Sequence, residues 1–240
     1  MEASLLAYTA QKSLFDRLDL LSNNVANVNT GGFKSDLAVY LKPTGTINGK
    51  PSPVAPLKSA INLSQGSLRT TNRDLDASIQ GEGFFQVETP LGPRYTRSGS
   101  FAIDASGALV TKEGYAVVGD GGPISFTTED SQVRIAEDGA ITVTTPGGDV
   151  SRGKLAVFTF EDKSSLKKLG NTLFSSDSEG VNVDPADFKI MQGTVEDSNA
   201  NQVEQMVELI DVTRSAQSLA KIIQDENQRV KSAVQRIAGK

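Results

Sequence analysis

The strongest constraint on this chain is a pair of helical seams at its two ends. Leu14, Leu18, Leu21, Val25 and Val28 recur at steps of four and three. That spacing lines one side of a helix that packs on another helix. Neither Pro nor Gly interrupts the run before Gly31, and Thr30-Gly31-Gly32 predicts its end, since Gly relieves a left-handed cap. The spacing predicts a helix over roughly residues 3 to 28. At the other end Leu209, Val212, Ala216, Leu219, Ile223, Val230, Ala233 and Ile237 share one seam, breached only at Glu226. Val203, Met206, Val207 and Ile210 read as a widening of that stripe at its start. Glu196, Asp197, Glu204, Glu208 and Asp211 crowd the front, while Arg229, Lys231, Arg236 and Lys240 crowd the rear, an order that complements a helix dipole. With Ser198 as its cap, the predicted helix runs from about 199 to 238, roughly 60 Å at ~1.5 Å per residue. The shorter N-terminal helix cannot cover it, so part of its apolar stripe needs another partner.

The middle follows a different period. Residues 84–87, 94–97, 108–111, 115–118, 132–135, 140–143 and 155–160 alternate like short strands. Turn residues separate them: Asp104 to Gly107, Gly119 to Pro123, Glu137-Asp138-Gly139 and Pro146-Gly147-Gly148. The fold expected is a mainly β core, barrel- or sandwich-like with short antiparallel strands. Long N- and C-terminal α-helices flank it and pair into a coiled-coil-like domain. The division expected is residues 1–34 plus 196–240 for the helical domain, 35–75 for an extended connector and 76–195 for the β-rich domain. Pro43, Pro51, Pro53 and Pro56 support the connector. Phe84, Phe85, Phe101, Phe158 and Phe160 are candidates for the β core, with Phe85 and Phe160 turned outward by alternation.

Composition narrows the chemistry. Cys and His are both absent, which removes disulfides, thiolate sites, cysteine nucleophiles and the commonest general base and metal ligand. No catalytic residue, metal site or cofactor is expected, and the chain is not expected to be an enzyme. Gly81-Glu82-Gly83 precedes a strand rather than a helix, so it cannot cradle a phosphate. Asp104, Asp120 and Asp138 lack EF-hand spacing and read as turn residues. A formal charge of −5, from 24 basic and 29 acidic residues, argues against nucleic-acid binding. No stretch approaches the ~20 apolar residues of a membrane span, so no direct membrane insertion is expected. The Met1-Glu2-Ala3-Ser4-Leu5 start lacks the pattern of a cleaved secretory signal.

Three collinear stretches carry a family resemblance. The run Leu18-Asp19-Leu20-Leu21-Ser22-Asn23-Asn24-Val25-Ala26-Asn27-Val28-Asn29-Thr30-Gly31-Gly32-Phe33-Lys34 resembles the N-terminal signature of bacterial flagellar rod and hook proteins. Ile79 to Val87, Tyr95 to Phe101 and Asp104 to Thr111 are similar to the shared β region of that family. Met191 to Asn201 is similar to the approach to its C-terminal helix. Within the family, Gly114-Tyr115 through Ile124 and the compact length look more like a proximal than a distal rod subunit, the distal one being the alternative. The chain departs from the family pattern at Arg214-Ser215-Ala216-Gln217-Ser218, where an Arg-aromatic-Glu run is usual, and at Gln202, where Pro often begins the helix.

The resemblance implies a structural subunit of the flagellar basal-body rod, assembled helically into the drive shaft that transmits motor torque across the periplasm. It implies export without a cleaved signal by the flagellar type III apparatus. The partners implied are other copies of the chain and neighbouring inner and distal rod subunits. The subunit-interface candidates are Leu14, Leu18, Leu21, Asn23, Asn24, Val25, Asn27, Val28, Leu209, Val212, Ala216, Leu219, Ile223, Val230 and Ile237. From a different class, a secreted β-rich binding module or adhesin on a helical stalk is the rival reading.

Overall fold

In the computed structural model, residues 2–41, 46–47, 50–51, 57–170 and 172–238 are described. Within the region expected to connect the domains, residues 42–45, 48–49 and 52–56 lie outside them. Two compact units share the chain. A helical unit draws on residues 1–26, 36–62 and 201–240, and a β unit on 27–35 and 63–200.

In the helical unit, α1 (Glu2–Ala26) and α2 (Gln202–Ala238) lie against each other. Helix α2 begins three residues later than the Ser198 cap anticipated. The cap is Asn201, whose Oδ1 accepts from Val203 N at 3.1 Å and Glu204 N at 3.4 Å. Ser198 Oγ instead accepts from Ala200 N. An antiparallel ribbon, Asp36–Tyr40 on Leu57–Ile61, joins the unit.

The β unit holds an open antiparallel sheet in the order Leu166–Lys168, Leu173–Ser176, Gly92–Thr96, Phe84–Thr89, Ala116–Gly119, Leu109–Thr111, Phe101–Ile103. The two end strands do not pair, and no sheet among the described residues closes into a barrel. The barrel expectation is therefore corrected to open sheets of short antiparallel strands. A three-stranded meander, Ser131–Ile135, Ala140–Thr145 and Gly148–Lys154, lies beside it in sequence. Two more ladders tie the early part of the unit to its end: Ala77–Gly81 pairs with Phe188–Gln192, and Leu68–Thr70 with Thr194–Glu196.

Alternation fails at the aromatic pairs. Phe84 and Phe85 are both buried, and so is Phe160, while Phe158 is partly covered. Phe85 meets Phe101 edge-on at 5.2 Å, and Phe84 lies 5.4 Å from Phe174 on the opposite side of its strand. A strand covered on both faces carries apolar residues at consecutive positions. The turn reading of the aspartates holds at Asp104, whose Oδ1 accepts from Ser106 N and Ala108 N, and at Asp138, which accepts from Ala140 N. Asp120 instead accepts from Asn182 Nδ2.

Candidate functional site

Two places gather the residues singled out by sequence: the faces of the helix pair, and a buried junction in the β unit.

On the helix pair, the 3-4 seam is where cover is found. Leu21 and Val212 are buried, and Leu14, Leu18, Val25, Leu209, Ala216, Leu219 and Ile223 are partly buried. Arg17 fastens the pair, donating from Nε to Glu208 Oε1 at 3.1 Å and from Nη1 to Tyr40 Oη at 3.1 Å. The Glu208 carboxylate raises the Arg17 pKa above its ordinary value, so the guanidinium stays charged. Asn24 is buried and fully engaged inside its own chain. Its Oδ1 accepts from Asp36 N, and its Nδ2 donates to Asp36 O and Gln205 Oε1, each at 2.9 Å. Asn23 is exposed. Beyond Ile223 the cover stops, and every side chain from 224 to 236, Val230 included, is exposed. The side chain of Ile237 lies outside the described residues.

Val203, Met206, Val207 and Ile210 do not widen the seam. All four are exposed. At ~100° per residue they fall on the side of α2 opposite the seam. Helix α2 thus carries a second apolar face over its first two turns.

In the β unit, Asn27 is buried and accepts through Oδ1 from Thr30 Oγ1, and Val28 is partly buried. The following loop enters the unit's interior. Gly32 has φ +74°, and a Cβ there would lie 2.3 Å from Ser98 N, so both its conformation and its space demand Gly. Gly32 N donates to Glu196 O at 2.7 Å. Phe33 is buried beneath Lys168, whose Nζ lies 4.1 Å from the ring centre. Ser35 N donates to Asn199 Oδ1 at 2.7 Å.

Lys34 is wholly buried, with Nζ 2.5 Å from Glu196 Oε1 and 2.7 Å from Ser64 O. Glu196 Oε1 also accepts from Gly66 N, and Glu196 Oε2 lies 3.4 Å from Arg97 Nη1. Arg97 donates from Nη1 to Ile79 O and from Nη2 to Gly81 O. Two cations thus share one buried carboxylate. Burial lowers the pKa of Lys34 and of Arg97, and Glu196 opposes both shifts. The three residues come from the three stretches that carry the resemblance. Glu196, expected among the acids at the front of the C-terminal helix, is instead the buried end of strand Thr194–Glu196. Lys34 and Arg97 have no role legible in the sequence, because a buried Lys or Arg reads like a solvated one until its partner is known.

Residues 6–34 match the model of the flagella basal body rod protein, 78–143 the D1 domain of the flagellar hook protein FlgE/F/G, and 191–236 the C-terminal region of the flagellar basal body rod FlgEFG protein. The flagellar basal-body rod protein FlgF of Caulobacter vibrioides is 34% identical, over 95% of this chain and 94% of its own length. The FlgF of Rhizobium meliloti is 30% identical over 98% and 97%. FlgG of Buchnera aphidicola is 32% identical over 91% and 93%. The fold and these matches define a structural, non-enzymatic component of the bacterial flagellum. The chain belongs to the flagellar basal-body rod protein family of FlgF and FlgG. Its likeness to FlgF relatives spans more of the chain than its likeness to FlgG. The adhesin reading finds no support. Among the described residues no helix is long and apolar enough to cross a membrane.

Proposed function

We propose that this rod subunit sits in the proximal rod, with its helical unit in the inner tube and its β unit outside. A coiled-coil-like pairing of α1 with α2 forms the core of the inner part, and the candidate residues on the two helices make or support contacts between subunits. Neighbouring inner and distal rod subunits flank it in the periplasm, and the flagellar type III apparatus delivers it. The observation that carries this reading is the mismatch of the helices. Helix α2 has 37 residues and α1 has 25, and the far part of α2 is uncovered. An uncovered stripe met by a different surface of the next subunit makes a head-to-tail contact, and where its rotation does not close it builds a tube. Rigid packing of many such subunits transmits torque without chemistry.

Removing residues 224–240 tests the reading. The shortened chain is expected to keep the β unit's stability and to lose both its place in purified basal bodies and the motility of cells that depend on it. Normal motility from the shortened chain sinks the reading. The distal position is the alternative, and a density map of a purified basal body showing this chain beneath the distal rod distinguishes the two.

A further inference from the structure

The second apolar face of α2 has a counterpart on the same helix. Val203, Val207 and Ile210 stand at steps of four and three, and so do Val230, Val234 and Ile237. The two sets are 27 residues apart, which is about seven and a half turns and ~40 Å of helix. Half a turn places them on opposite sides of α2. Val203, Val207 and Ile210 are exposed at the front, and Val230 and Val234 at the rear.

Charge separates the same two segments. Residues 202–213 carry Glu204, Glu208 and Asp211 and no Lys or Arg. Residues 227–238 carry Arg229, Lys231 and Arg236 and no Asp or Glu. Glu208 is engaged with Arg17, and the exposed Arg229 with Glu226 on its own helix, whereas Glu204, Asp211, Lys231 and Arg236 are exposed. Glu204 and Asp211 are a heptad apart, as are Arg229 and Arg236.

We propose that the front face of α2 takes the rear face of α2 from a second copy, parallel to it and displaced by 27 residues. This deepens the rod reading and rests on it. The displacement sets Val203 against Val230 and Val207 against Val234. It also places Glu204 and Asp211 on the same flank of the contact as Arg229 and Arg236, each pair ~3 Å from level. A closed antiparallel dimer would need both faces on one side of the helix to make its two equivalent contacts. Because they lie on opposite sides, the pairing runs head to tail and stays open, with an axial step of ~40 Å.

The chain has no cysteine, so engineered thiols report without background. In the full chain carrying both V207C and V234C, the two thiols are too far apart along one rigid helix to join. Mild oxidation of the purified protein is expected to give a ladder of disulfide-linked multimers on a non-reducing gel. V207C alone and V234C alone are expected to stay monomeric, and their mixture to stop at dimers. E204K/D211K in the double-cysteine chain is expected to lose the ladder, and R229E/R236E added to it to restore the ladder. The proposal is overturned by a double variant that stops at dimers or gives no ladder, or by V207C dimerising alone. Absence of the wild-type chain from purified basal bodies counts against the rod reading instead, whatever the gel shows.

Discussion

Lys34 Nζ and Glu196 Oε1 lie 2.5 Å apart, although 162 positions separate the residues and neither side chain touches solvent. Breaking a buried pair from one side strands the remaining charge, at a cost of ~3–5 kcal/mol. K34M leaves Glu196 with only Arg97 and the Gly66 amide. Because Arg97 still faces the carboxylate, the loss expected is smaller, ~1–3 kcal/mol for the bonds lost at Glu196 and Ser64 O, read by denaturant titration. A loss below ~1 kcal/mol would show that water or a rearranged Arg97 replaces the lysine.

Gly32 offers a cleaner steric test. G32A must hold a positive φ and push a methyl carbon onto the Ser98 backbone, since an ideal Cβ would sit 2.3 Å from Ser98 N. Strain of this kind costs ~1–3 kcal/mol before the clash is relieved. Gly121 has open space around it, so G121A serves as the control and should unfold within a degree or two of wild type. Equal melting temperatures for G32A and G121A would contradict the packing described.

Asn24 predicts a local effect. Its amide holds both backbone groups of Asp36. N24A leaves these to solvent or unpaired, and should cost ~1–3 kcal/mol in the helical unit. Hydrogen exchange at the Asp36 amide is the direct readout, and unchanged protection there rules out the bond as a stabilising contact.

Acid sensitivity has an identifiable source in the loop before the meander. Hydrogen bonding to Arg152, helped by Thr127, holds the Asp130 pKa down at about 2. A carboxylate whose folded pKa is depressed contributes stability above its unfolded pKa, near 3.9, and loses it as pH falls through the folded value. Wild type should therefore lose stability between about pH 4 and 2 more steeply than D130N. Asp104, Asp138 and Asp162 are also held below the usual carboxylate range, first by Ser106, the Ala140 amide and Ser164 respectively. D130N should remove only part of the acid slope, and parallel curves for the two proteins would refute the Asp130 assignment.

The residues legible in advance share one property: their signal is local. Leu14 to Val28 and Leu209 to Ile237 announce helices because many turns repeat one spacing. Asp104 and Asp138 announce turns because each serves amides within four residues of itself. The unread features are settled by distant chain. Ile79 is paired with Ile190, and nothing near either predicts the other. Lys34 and Arg97 pass for surface residues until Glu196 is placed between them. Val203 and Val207 were read into the seam because they are apolar and close by, whereas the helical angle puts them behind it. Asn23 and Asn24 are neighbours in sequence, yet Asn24 is buried on Asp36 and Asn23 is exposed.

The ladders that tie strands 68–70 and 77–81 to residues 188–196 bear on how this protein comes into being. Ile79 waits for Ile190, 111 positions downstream, and Lys34 waits longer still for Glu196. Pairings so distant in sequence delay folding, since a long loop must be closed before any contact is gained. A chain synthesised N-terminus first therefore leaves its β unit open until residues 188–196 have followed, and only then can that unit lock.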